Sequence, residues 1–210
     1  MTEEQKTRPK IKLLLLCAKP EKEDAETVLI AKNMAEACSN SVELVKERVT
    51  DVNQAVTAIF AHQPDIVHFY GSCLPEHKFE FVDDTGKCTD ICKKSFLLAK
   101  LNKLPHEIKL AYFNGVVTDK EVNVTGGKIA SFFCMQKKWN EDLSRRVVVP
   151  FYTALAFGNT LGFSFKKLWE ALPDKDKHIM LRFRLDINPD KFLLRERPLG
   201  EVNTSPRVEN

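Results

Sequence analysis

Ile11 to Cys17 is an apolar run interrupted only by Lys12 and followed by Lys19-Pro20, the pattern of a strand buried on both faces as parallel strands are. From Asp24 to Cys38, the residues Val28, Ala31, Ala35 and Cys38 recur at helical spacing, with Asp24 and Glu26 near the start to complement the helix dipole. Val42 to Val49 alternates apolar with charged residues, although Val45 breaks the strict period, and predicts a second strand nearer an edge. Asp51 opens another helix through Phe60, with Gln54 three residues on as a reciprocal cap. Pro64 closes that connection, and Ile66 to Phe69 forms a third strand running into Tyr70-Gly71.

Strand, helix, strand, helix and strand with short joins call for right-handed crossovers and a mostly parallel sheet covered by helices on both faces. The expected fold class is therefore α/β, a three-layer α/β/α sandwich. Phe79 to Val82 alternates and ends in Asp83-Asp84-Thr85-Gly86-Lys87, a tight turn in a small excursion from the main sheet. Ser95 to Leu104 reads as a helix stopped by Pro105, Ile108 to Asn114 as the fourth main strand, and Thr118 to Thr125 as a polar loop.

Gly126-Gly127 precedes what reads as a short helix ending near Cys134. Glu141 to Phe157 is helical in pattern but contains Pro150, which predicts a kink or a new helix there. Thr160 can cap a further helix carrying Phe163, Lys167 and Trp169, and the alternation from Ile179 to Leu185 predicts a last strand. The pattern divides the chain into a polar N-terminal tail over 1–9, one domain over 10–198 and a disordered tail over 199–210. No internal repeat and no glycine-rich phosphate loop is present in the sequence.

Composition narrows the class without choosing a function. At 210 residues, 43% of them hydrophobic, the chain is long enough to bury a core without metals or disulfides. Lys plus Arg exceed Asp plus Glu by 32 to 29, a formal charge of +3 that nominates no nucleic-acid track. The longest apolar run, Ile11 to Ala18, falls far short of the about 20 residues a membrane span needs. Met1 to Lys10 carries charge and no apolar signal core, which predicts a cytoplasmic protein. The six cysteines, Cys17, Cys38, Cys73, Cys88, Cys92 and Cys134, are then expected as reduced thiols. His77, Cys88 and Cys92 lack the paired spacing of a zinc module, so no metal or other cofactor is expected.

Chemistry enters through a resemblance. Pro64-Asp65-Ile66-Val67-His68-Phe69-Tyr70-Gly71-Ser72-Cys73, followed by Phe79 to Gly86, resembles the start of a caspase-like CHAT domain, in which the third strand runs into a Val-His-Phe-Ser-Gly-His-Gly type motif. Phe113-Asn114-Gly115-Val116 is similar to that family's Leu-Asn-Ala-Cys strand end, and Phe151 to Gly162 to its Phe-Tyr-x-Ala-Leu-x-x-Gly-x-Ser signature. Ile11 to Pro20 and Ile187 to Leu194 fit its first strand and closing segment, so the likeness spans about Lys10 to Arg195. It implies a caspase-haemoglobinase-like fold and a cysteine peptidase ancestry.

In that family the second His of the turn is the general base and the Cys after Asn-Ala is the nucleophile; here those places hold Ser72 and Val116. Valine offers no nucleophile, and a serine hydroxyl is no base near neutral pH. The resemblance therefore implies a pseudoprotease with a cleft lined by Tyr70, Gly71, Asn114 and Gly115, acting as a regulatory, adaptor or interaction protein. Its implied partner is another protein, an active caspase-like protease or its sensor, in a bacterial defence or protease-signalling setting, with no nucleic acid or membrane involved. Two alternatives stand beside it. One is an active cysteine endopeptidase using Cys73 with His68 or His77, although alternation places His68 inside the strand facing one side of the sheet. The other is a ligand-sensing α/β domain with its pocket at the carboxyl ends of the third and fourth strands.

Remaining candidates divide between surface chemistry and structure. Trp139, Arg145 and Arg146 can dock an acidic partner or form a solvated helix face. Glu80, Asp83 and Asp84 can bind an arginine or a metal, or serve their own turn. Lys166, Lys167, Arg195 and Arg197 read as solvated, Cys17 and Cys134 as small core residues, and Phe151, Phe157, Phe163 and Phe165 as core and covering layer.

Overall fold

The structure is a computed structural model that describes residues 10–20, 25–74, 78–116, 127–135, 141–177 and 179–193. For Cys73, Asn114, Val116 and Arg145 the backbone is described and the side chain is not; His77, Trp139, Arg195, Arg197 and both predicted tails lie outside the described residues.

β1 (Ile11–Cys17) is central, with β2 (Val42–Arg48) parallel on one side and β3 (Ile66–Tyr70) parallel on the other. The sheet continues through β7 (Leu110–Val116) and β8 (Ser131–Met135), both parallel, to β9 (Ile179–Phe183), which runs antiparallel at the far side. A second sheet of three antiparallel strands, β4 (Ser72–Leu74), β5 (Lys78–Val82) and β6 (Cys88–Lys93), leaves the main sheet directly after β3.

The alternation of β1 divides the core in two. Leu13 and Leu15 face α1 (Ala25–Cys38), α4 (Glu141–Ala156) and α5 (Leu161–Ala171), whereas Leu14 and Leu16 face α2 (Val52–His62), α3 (Lys94–Leu101) and the inner side of β5. Helices therefore cover both faces of the parallel sheet, giving the three-layer α/β/α arrangement.

Local chemistry fixes the helix ends. Asp51 caps α2 by accepting from the amides of Asn53 and Gln54 at 2.8 and 2.9 Å, and Asp90 of β6 accepts from Val52 N at 3.1 Å. Gln54 reaches back as expected but lands on the amide of Thr50, one residue before the cap. At the start of α5, Thr160 Oγ1 accepts from Phe163 N at 3.2 Å, while Phe192 O and Pro189 O take the Leu161 and Gly162 amides, each at 3.0 Å. Gly162 permits that approach, because a Cβ there would lie 2.8 Å from Pro189 O.

One expectation needs correction and another is narrowed. The segment read as a short helix ending near Cys134 is β8, with Phe132 and Cys134 buried toward one layer and Phe133 toward the other. A five-residue apolar run is too short for a stable helix and suits a strand buried on both faces. Of the two outcomes expected at Pro150, a kink or a new helix, the second does not occur: α4 continues through it as one helix. Pro150 lies on the exposed side, where water can reach the carbonyl its missing N–H leaves, and Val147, Val148, Phe151 and Tyr152 anchor both flanking turns in the core.

Candidate functional site at the carboxyl edge of the sheet

The strand order reverses between β1 and β3, and open parallel sheets gather ligands and reactive groups at the carboxyl ends of such strands. Ala18 N donates to Tyr70 O at 2.8 Å, tying the two ends together, and Lys19 Nζ lies 3.4 Å from Tyr70 Oη and 4.8 Å from the ring centre. Gly71 follows where no side chain fits: a Cβ would meet the Phe69 ring at 2.8 Å and Ala18 Cβ at 3.3 Å. β3 and β7 are direct neighbours, with Tyr70 opposite Asn114. Beyond that pair the two strands end differently.

Ser72 is the first residue of β4, half-buried and paired with Glu80, so the chain passes from one sheet into the next through Gly71 alone. Val116 is the last residue of β7. The β7 to β8 register jumps from Phe113 opposite Cys134 to Val116 opposite Met135, leaving Asn114-Gly115 as an irregularity that re-aims the strand end. Tyr70, Gly71, Ser72, Asn114, Gly115 and Val116 thus sit at two adjoining strand ends.

His68 belongs to a different place. It occupies the middle of β3, wholly buried, on the side facing α1 and α4. Its Nε2 lies 3.0 Å from Glu26 Oε1 in the first turn of α1, and its Nδ1 lies 2.9 Å from Tyr152 Oη in α4. The Tyr112 ring stacks on the imidazole with centres 4.3 Å apart and planes 9° apart. An ionised carboxylate only accepts, so Nε2 carries a proton, and Nδ1 then accepts from the phenol or, in the imidazolium, donates to it. Burial and the Glu26 carboxylate push the Tyr152 phenol well above its ordinary pKa range.

Hydroxyl, imidazole and carboxylate in line have the connectivity of a nucleophile, base and orienting acid. A buried phenol of raised pKa is a poor nucleophile, and Glu26 is only 2% exposed, so the chain of groups has no route to substrate. The sequence pointed to neither Glu26 nor Tyr152 as partners of His68. A signal was present: Glu26, Ile30 and Met34 share one stripe of α1, all buried, so Glu26 lies on the face turned to the core. An imidazole inside an apolar strand demands such a partner.

Cys73 pairs with Phe79 and Phe79 with Cys92, a row across the small sheet in which both described side chains are buried. Burial raises the Cys92 pKa, the reverse of what a nucleophilic thiol needs. Cys17 and Cys134 are buried in the core, and Cys88 is exposed.

The acidic turn serves structure. Asp83 Oδ1 accepts from Thr85 N, Thr85 Oγ1 and Lys87 N at 2.9, 2.6 and 3.0 Å, and Gly86 takes the left-handed conformation that closes the turn. The hydrogen bond from Thr85 is the largest of the effects that hold the Asp83 pKa below its usual range. Asp84 pairs with Arg48 at the end of β2, whose Nη2 also donates to Val82 O at 2.9 Å and whose Nε donates to Lys19 O at 3.1 Å. Arg48 thereby straps the small sheet to the rim of the large one.

Of the surface candidates, Arg146 is exposed on α4, and Lys166 and Lys167 are exposed and pair with Glu170. Phe151 is core and Phe165 packs against it, whereas Phe157 and Phe163, on the covering layer, are 69% and 46% exposed. Among the described residues, no group of three or more His, Cys, Asp or Glu stands ready to hold a metal ion, and no helix is long and apolar enough to cross a membrane. Compared with models of known protein families the chain matches none, and no curated protein matches it either.

Proposed function

We propose that the chain is a caspase-like pseudoprotease that works by binding another polypeptide. One observation carries this reading: the pairing of Tyr70 with Asn114 makes the ends of β3 and β7 neighbours, as the resemblance to CHAT domains requires, while the residues offered there are Ser72 and Val116. A serine hydroxyl and a valine side chain at these two positions supply neither the base nor the nucleophile that this route to opening a peptide bond needs. In a serine protease, loss of the nucleophile or the base alone lowers turnover by about a millionfold.

The excursion of β4, β5 and β6 beside those strand ends and the antiparallel β9 at the far side of the sheet are compatible with this ancestry. His68 also counts against its use as a base for Cys73, because both its ring nitrogens are engaged by Glu26 and Tyr152. The partner class suggested by the resemblance is an active caspase-like protease or its sensor.

The test is hydrolysis of arginyl and aspartyl peptide libraries by the full chain, alongside a Ser72→His/Val116→Cys variant. The expected result is no turnover by the natural sequence and thiol-dependent turnover by the variant. Hydrolysis by the natural sequence that disappears in Cys73→Ala would overturn the proposal in favour of an active peptidase.

A further inference from the structure

Glu26, His68 and Tyr152 come from three separate elements, α1, β3 and α4, and α1 and α4 pack side by side over that face of the sheet. Each helix holds one nitrogen of the same ring, at 3.0 and 2.9 Å. The ring cannot follow a departing partner, because Tyr112 stacks flat against it and its own strand pairs with β1 and β7 on either side.

The two nitrogens are not independent. In the neutral ring a carboxylate at Nε2 fixes the proton there and leaves Nδ1 to accept from Tyr152; without the carboxylate the other tautomer becomes available, with Nδ1 donating and Nε2 bare. What α1 offers the ring therefore decides what the ring offers α4. Because these groups are buried to 2% exposure or less, water does not replace a lost partner, and losing Glu26 or Tyr152 leaves a ring nitrogen of His68 desolvated.

We infer that Glu26, His68 and Tyr152 form a latch that couples the first turn of α1 to α4 through the imidazole of β3. The first turn of α1 follows β1 and rises at the carboxyl edge of the sheet, so a partner that moves it loosens α4, and a partner that moves α4 loosens it in return. Thermodynamic linkage makes the coupling equal in both directions. The latch stands independently of whether the carboxyl edge once held a protease site.

The experiment is hydrogen exchange of the full chain, followed by mass spectrometry, in Glu26→Gln, Tyr152→Phe and the double variant, read in peptides from α1, α4 and α2. Tyr152→Phe, a change in α4, is expected to speed exchange in α1 about fivefold, and Glu26→Gln to do the same in α4, with α2 unchanged. The double variant is expected to fall short of the product of the two single effects. Acceleration confined to the substituted helix, or effects that simply multiply, would overturn the latch. A second reading needs no variant: nitrogen-15 spectra of the histidines in the natural protein should show His68 protonated at Nε2, and a ring protonated at Nδ1 alone would overturn it as well.

Discussion

Val67 and Phe69 look from β3 into hydrocarbon, whereas His68, between them, looks the other way into a chain of polar groups. On the first side, Phe69 lies 4.7 Å from the Phe79 ring and 5.7 Å from Phe113, and Phe113 lies 4.9 Å from Phe132. That side is non-directional: any well-filled set of apolar shapes gives most of the stability. On the second side, stability depends on three groups being present together, because each supplies the hydrogen bond that offsets the burial of its neighbour. One strand thus supports a tolerant layer and an intolerant one.

The largest expected effect belongs to the tolerant side, where volume is greatest. Phe79→Ala removes a fully buried ring beneath the small sheet and should lower stability by about 3–5 kcal/mol, read as a shift in the urea midpoint at unchanged slope. His68→Leu should come next, at about 3 kcal/mol, because it leaves Glu26 in the interior without its ring partner. The contrast sharpens in the triple variant Glu26→Leu/His68→Leu/Tyr152→Phe, which should recover most of that loss. Were the triple variant no better than His68→Leu alone, the two faces would not differ in kind.

Arg48→Met tests what holds the small sheet. If the burial of Phe79 and Phe81 does so, losing the strap from Arg48 to Val82 O and Asp84 on the partly exposed rim should lower stability by only about 1 kcal/mol. A fall as large as that of Phe79→Ala would show that the rim, rather than the aromatic packing, positions β4 to β6 beside the strand ends.

The tolerant layer was also the legible one. β1, β3 and β7 announce themselves as apolar runs, and α2 and α5 carry their caps in the chain at Asp51 and Thr160. Legibility failed where periodicity carries no information. β8 is too short for its apolar run to be told from a helix by spacing alone, and β6 buries Cys92 while leaving most of its residues exposed, so no alternation marks it. The polar chain was half legible: the period of β3 placed His68 on one face, but its partners lie 42 and 84 residues away on helices, a separation no local pattern spans. At the carboxyl edge, the identities of Ser72 and Val116 were plain in the sequence, whereas the irregularity at Asn114-Gly115 arises from how β7 pairs with β8 and is visible only there.

A second imidazole supplies the control. His106, in the connection from α3 to β7, has both ring nitrogens shielded from solvent and, among the described residues, without a hydrogen-bond partner, and Asn102 Oδ1 nearby in the chain is in the same condition. Burial, opposed by Asp65 and assisted by Lys128, holds the His106 pKa below the usual histidine range. The folded protein therefore binds this proton less readily than the unfolded chain does. Stability contributed by neutral His106 is complete above the unfolded value near about 6.5 and is lost as pH falls through that value toward the folded one. Measured as the urea midpoint between about pH 7.5 and pH 5, the natural protein should weaken on acidification more than His106→Gln does. The difference should be small beside that of His68→Leu, because His106 stands at the margin of the fold while His68 sits inside it. Equal acid sensitivity in the two proteins would mean that this unpartnered ring titrates as if it were in water, and that burial without partners is not what distinguishes it from His68.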